Sequence, residues 1–194
     1  MKSVLISIQP KWCELIASGK KTVEVRKTKP KLETPFKCYI YETKDKKFEN
    51  IGVCGHKADG TPYIYKHNGG KVIGEFVCKR IDYIGWISTP ARLDWKNYYD
   101  KKSCLTSSQL YDYSGGGCYY EWHISDLVIY DKPRGLSEFY HYCGDNPNCD
   151  GCEAHYYSNT ECGKEDYCCS PIEGCKPFKR PPQSWCYVES EDEG

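Results

Sequence analysis

Apolar and polar positions fall into short segments bounded by Gly, Pro or Asp, a pattern of strands with few helices. Ser3-Val4-Leu5-Ile6-Ser7-Ile8 runs almost wholly apolar and stops at Gln9-Pro10, which predicts a buried first strand. Pro10 suits the opening position of a helix, Trp12, Leu15 and Ile16 recur at helical spacing, and Gly19 suits its end. Lys21 to Arg26 alternates, with Val23 and Val25 on one face and Thr22, Glu24 and Arg26 on the other. Phe36 to Glu42 is a further strand, with Phe36, Cys38 and Ile40 opposed to Lys37, Tyr39 and Tyr41. Lys44 to Gly70 is polar and holds turn signals at Asp59-Gly60 and Asn68-Gly69, as expected of a peripheral hairpin with His56 and His67 exposed in its loops.

Beyond it, Lys71 to Cys78 is a strong strand whose apolar run is interrupted by Glu75, and residues 80 to 86 continue the meander into an aromatic-bearing loop at Trp86 and Trp95. Cys104 to Tyr113 reads as a short helix capped by Thr106 or Ser107, ended by Gly115-Gly116-Gly117, which lacks the Lys-Ser/Thr of a phosphate-binding loop. Tyr119 to Ile124 and Leu127 to Tyr130 are read as two core strands with His123 packed among them, Leu136 to His141 as a helix, and Ser184 to Val188 as a closing strand that returns to the body of the fold.

The strand after Gly19 places charge where a core strand hides none. Lys21, at the strand's first position, is free to lean over the face that carries Glu24 and Arg26. The three then offer a compact cation, an acceptor and a planar bidentate fork, a set suited to a phosphate, a base edge or a polar intermediate. Tyr41 and Tyr39, on the second face of the next strand, are expected to stand beside them, and Glu75 is the second carboxylate expected near Lys21, where burial would raise its pKa and fit it for proton transfer.

Gly19, Lys21, Glu24 and Arg26 form the pattern Gly-x-Lys-x-x-Glu-x-Arg, which resembles the signature of the ASCH domain, a member of the PUA-like superfamily of RNA-associated small β-barrels. Pro10 to Ile16, Trp122 to Leu127 and Pro181 to Val188 are similar to a bacterial or phage-borne subgroup. The resemblance implies an α+β fold, a small mixed barrel flanked by short helices, spanning residues 1–142 and 179–190. It further implies an RNA- or nucleotide-binding cleft lined by Lys21, Glu24 and Arg26, beside which Trp12, Tyr39 or Tyr41 is the candidate stacking face. Some short relatives resemble amidohydrolases acting on acetylated cytidine through a Thr, a Lys and a Glu, and others are linked to ribonuclease activity. Lys21 and Glu75 would then be catalytic, although Glu24 stands where the nucleophilic threonine is expected.

Composition sharpens this in two places. The 194 residues carry no net charge, so bulk attraction to nucleic acid is not expected, yet residues 1–37 hold nine Lys/Arg against three Asp/Glu, a local basic surface. Eighteen tyrosines supply either core pieces with a wet hydroxyl or faces for bases. No apolar run approaches a membrane span, and Met1-Lys2 leads straight into a strand, so a cytoplasmic protein is expected.

A reducing compartment turns the 14 cysteines from disulfide partners into metal ligands or buried thiols. Cys143, Cys149, Cys152, Cys162, Cys168, Cys169 and Cys175 crowd a segment, 143–178, too polar to build a core. Cys149-x-x-Cys152 fits the tight half of a tetrahedral zinc site completed from Cys143, Cys162, Cys168, Cys169 or Cys175, with His155 a further candidate. The segment reads as a loop appendage stapled by structural zinc, followed after the closing strand by an acidic tail at 191–194. An adaptor that holds a protein partner through this appendage is a further reading of the chain.

Overall fold

The computed structural model describes residues 2–48, 52–56, 62–85, 99–142 and 177–189. In chain order the elements are β1 (Lys2–Ile8), α1 (Pro10–Ala17), β2 (Val23–Arg26), β3 (Phe36–Glu42), β4 (Gly52–His56), β5 (Pro62–Lys66) and β6 (Lys71–Ile84). They continue with β7 (Tyr99–Asp100), β8 (Leu105–Thr106), α2 (Ser107–Ser114), β9 (Tyr119–Gly135) and β10 (Trp185–Glu189). The large sheet has the order β10-β1-β3-β6-β9-β2. Among the described residues only β1 and β3 pair in parallel. The fold is α+β.

The expected barrel is not closed. β10 already occupies the free side of β1, from Lys2↔Glu189 to Ile6↔Trp185, so β2 finds no backbone partner there and both β2 and β10 remain edges. Side chains cross the seam instead. Arg26 Nη2 donates to the Ser7 carbonyl at 2.6 Å, and Trp185 Nε1 donates to Thr28 Oγ1 at 3.1 Å. The Trp122 and Trp185 rings lie 5.8 Å apart behind these bonds.

One face of the curled sheet buries Val4, Ile6, Ile8, Cys38, Ile40, Phe76 and Trp122 under Cys13 and Ile16 of α1. The other face buries Leu5, Tyr39, Tyr41 and Val72 with Phe139, Phe178 and Val188. The parity of β3 produces this division, since alternate side chains must enter different cores. Gly74 serves the same packing: a Cβ there would lie 2.3 Å from the Val128 carbonyl, so no larger residue fits the β6–β9 pair.

Several expected boundaries shift. Residues 71–84 are one strand, and Tyr119 to Gly135 is one strand where two were expected, because Asp126 takes a φ of 48° and the register slips at bulges while the pairing continues. The expected helix at 136–141 is a single 3₁₀ turn, Leu136–Glu138; Phe139 returns to extended backbone and His141 bridges to Val188. α2 begins at Thr106, whose hydroxyl accepts from Gln109 N while the Gln109 side chain accepts from Thr106 N, and it ends at left-handed Gly115. The turn at Asp59-Gly60, the Trp86–Trp95 loop, all seven cysteines of 143–175 and the acidic tail lie outside the described residues, as does the side chain of His56. Among the described residues no helix is long and apolar enough to cross a membrane.

Candidate functional site

α1 packs Cys13, Ile16 and Ala17 inward and closes at Ser18 and Gly19, whose φ of 70° turns the chain back on itself. Lys21 N then donates to Leu15 O at 2.9 Å, which fixes the corner. The turn 100–104 docks against it, because Thr22 N and Val23 N both donate to the Lys102 carbonyl at 2.8 and 3.2 Å. β2 pairs with β9 so that Glu24 lies opposite Trp122 and Arg26 opposite Tyr120, which turns both charged side chains toward the core beneath α1.

Lys21, Glu24 and Arg26 thereby meet, each at least nine-tenths buried. Glu24 is flanked by Lys21 Nζ at 3.3 Å from Oε2 and by Arg26 Nη2 at 3.1 Å from Oε1. Lys21 Nζ also donates to the Ser103 carbonyl at 2.8 Å. Although Glu24 Oε2 is within ion-pair range of Lys21, it lacks a well-aligned hydrogen bond, and so do the buried Arg26 Nε and Ser103 Oγ among the described residues. The trio is formally one cation in excess, with three polar atoms still able to bond. Such a cluster suits an anionic or carbonyl-rich partner.

The neighbourhood of the trio shows in Cys13. Burial first, then the carboxylates of Glu42 and Glu24, push its thiol well above the ordinary range, against an opposing pull from Arg26. Cys13 is therefore a packed thiol and not a nucleophile. Trp12 is half-buried on α1 with Lys21 Nζ 5.4 Å from its ring centre, beside the trio as expected.

Two expected members are elsewhere. Tyr41 is buried with Tyr39 in the opposite core, because Cys38 and not the tyrosines takes the β3 parity that faces Arg26. Glu75 pairs with Tyr39 in the ladder and so shares that opposite face; it makes an ion pair with Lys37 at 3.1 Å and accepts from Tyr130 OH. It does not join Lys21.

Other groups were not expected. Ser103 enters the site because Asp100 Oδ2 accepts from its N–H at 2.9 Å, a turn whose docking partner no local pattern announces. His67, read as an exposed loop residue, has a buried side chain whose Nδ1 lies 2.6 Å from Oε1 of the fully buried Glu42. Asp82, Glu121 and His123 bring ligand atoms within 4.8 Å of one another. Arg80 Nη2 already lies 2.9 Å from Asp82 and 3.0 Å from His123 Nε2, so a guanidinium takes the place a metal would need. Finally, a groove of about 1190 Å³ opens beside α1, with Lys21 and Thr22 on one wall and Ile64, Leu127 and Val128 among its apolar lining.

An open, curled α+β sheet with a buried Lys-Glu-Arg cluster under its first helix fits a PUA-like domain. The ASCH domain model matches residues 6–137, and the chain belongs to that family. Among solved structures it is similar to ASCH from Zymomonas mobilis, at 18% identity and a TM-score of 0.52, covering 96% of this chain and 87% of that one. A serine-to-alanine mutant of the same Zymomonas mobilis protein is similar at 18% identity and a TM-score of 0.51, covering 96% and 88%. No curated protein matches the sequence.

Proposed function

We propose that the chain binds RNA or a nucleotide-like ligand at Lys21, Glu24 and Arg26. The observation that carries this reading is the convergence of the three charged side chains, one cation in excess, around buried polar atoms that the protein leaves without aligned partners. Lys21 and Arg26 attract phosphate or a base carbonyl, Glu24 accepts from a base amino group, and Trp12 supplies a stacking face. Membership in a family of RNA-associated domains supports the choice of ligand. The engagement of Glu75 by Lys37 and Tyr130 weighs against the hydrolytic alternative, which asks for Glu75 beside Lys21.

Arg26 also bridges the seam, so its test needs a variant that keeps the charge. Arg26→Lys preserves a cation and loses the fork; at fixed salt it is expected to weaken nucleotide binding by roughly tenfold, about 1.4 kcal/mol, in isothermal titration. An unchanged titration with an unchanged melting curve rejects the site.

For the segment 143–175 the proposal is structural zinc held by Cys149 and Cys152 with two of Cys143, Cys162 and Cys168, resting on spacing alone. Elemental analysis of protein purified without added metal should return about one equivalent of zinc. A value near zero removes it.

A further inference from the structure

The register that buries Arg26 also sets what lies beside it. On the same sheet face Arg26 is opposite Tyr120 in β9, and Tyr120 is opposite Tyr83 in β6. Neighbouring strands stand about 4.8 Å apart, so the three form one row across the sheet. Burial falls along it: Arg26 is buried, Tyr120 is half-buried, and Tyr83 is 60% exposed. The two rings are 5.5 Å apart and tilted by 57°, a ladder of aromatic faces leading out of the charged pocket.

Cations border the row. The chain leaving β2 holds Lys27, Lys29 and Lys31, with Lys29 Nζ 5.9 Å from the Tyr120 ring and Lys27 Nζ 5.4 Å from that of Tyr113. This connection is tied to the body, through Thr28 to Trp185 and through Lys31 N to Tyr187 OH at 2.7 Å. Lys29 is thus held beside the aromatic row, while Lys27 lies against Tyr113 of α2. Asp82 and Glu121 belong to the other face of the same strands, so no carboxylate of the row's own β6–β9 pairs opposes an anion there.

We infer that this row is a track for single-stranded RNA. One nucleotide occupies the Lys21/Glu24/Arg26 site, its neighbours stack on Tyr120 and Tyr83, and a phosphate between them lies at Lys29. Paired bases cannot offer their faces to separate rings, so a duplex does not fit. The inference rests on the pocket reading and adds the strand, its direction of travel and its length dependence.

Fluorescence anisotropy with a mononucleotide, a single-stranded RNA hexamer and a hexamer duplex separates the two. The single-stranded hexamer should bind at least about tenfold more tightly than the mononucleotide, and Tyr83→Ala should remove most of that gain while leaving mononucleotide binding unchanged. Tyr83→Phe should keep it, since the ring and not the hydroxyl stacks. Lys29→Ala should flatten the salt dependence of hexamer binding by a log–log slope of about 0.7. A hexamer that binds no better than the mononucleotide, or equally well as a duplex, or without regard to Tyr83, overturns the track and leaves the pocket standing. Loss of the hexamer gain in Tyr83→Ala with Arg26→Lys unaffected overturns the pocket and keeps the track; no binding of any probe sinks both.

Discussion

Glu24 is the one anion between two buried cations, and its removal separates stability from binding. Glu24→Gln keeps the volume and leaves Lys21 and Arg26 facing each other without compensation. The expected cost is about 3–5 kcal/mol in a urea unfolding curve. Replacing all three by apolar residues of similar size should cost clearly less, because buried ion clusters contribute little net stability. If the triple variant is as unstable as Glu24→Gln, the cluster is a structural clamp and its apparent readiness for a guest loses its meaning. A second carboxylate makes a pH prediction. Burial first, then the nearby Asp100 charge, raises the Glu121 carboxyl above its ordinary value, with Asp82 adding to it and His123 opposing. A raised carboxylate binds more protons folded than unfolded, so it lowers stability above its folded pKa and the penalty is relieved as pH falls through it. Glu121→Gln should therefore raise the melting temperature at pH 7, with the gain shrinking toward pH 4. A gain independent of pH would refute the assignment.

At the scale of elements, local chemistry was the most legible. Pro10 opens α1 because it has no N–H to leave unpaired there, while Gly19 closes it and Thr106 caps α2 by bonding backbone groups within a few residues. Phe36 to Glu42 reads as a strand from its alternation alone. The length of β9 was hidden: Ser125-Asp126 looks like a break, and only pairing with the bulged β6 carries the strand through it. His67 was hidden for a related reason, since Glu42, at the end of a strand 25 residues earlier, is what holds it. That contact, with Asn68 N donating to Glu42 Oε2 at 2.6 Å, fixes the exit of the β4–β5 hairpin. His67→Ala leaves a fully buried carboxylate with one partner fewer, at an expected cost of about 3 kcal/mol. Hydrogen exchange should quicken in 62–70 before it does in β1 or β3. Uniform quickening would mean that the hairpin is not pinned there.

For the whole molecule, the motif placed the charged trio together, but the partners of that trio come from how the sheet closes. Positions 24 and 26 could be read onto one face from their spacing, and Lys21 beside them from its place at the strand's start; Ser7 and Ser103 could not, being 19 residues before Arg26 and 82 after Lys21. The same closure decided Tyr41, which alternation allowed on either side of β3 and which the opposite core claimed. Because no backbone ladder joins β2 to β1, the seam depends on a few side chains, and Trp185 is the largest of them. Its ring lies tilted against Trp122 at 5.8 Å and edge-on to Tyr187 at 5.4 Å, and it donates to Thr28. Trp185→Ala removes a half-buried indole, with an expected loss of about 2 kcal/mol, less than full burial would give. The loss should be local: exchange should quicken in 27–31 and in β10, while the β4–β5 hairpin keeps its protection. Trp185→Phe should restore the packing without the Thr28 bond and recover most of the stability. A variant that loosens both regions equally would show that the seam is held by the ladder neighbours of β1 and not by the residues that cross it.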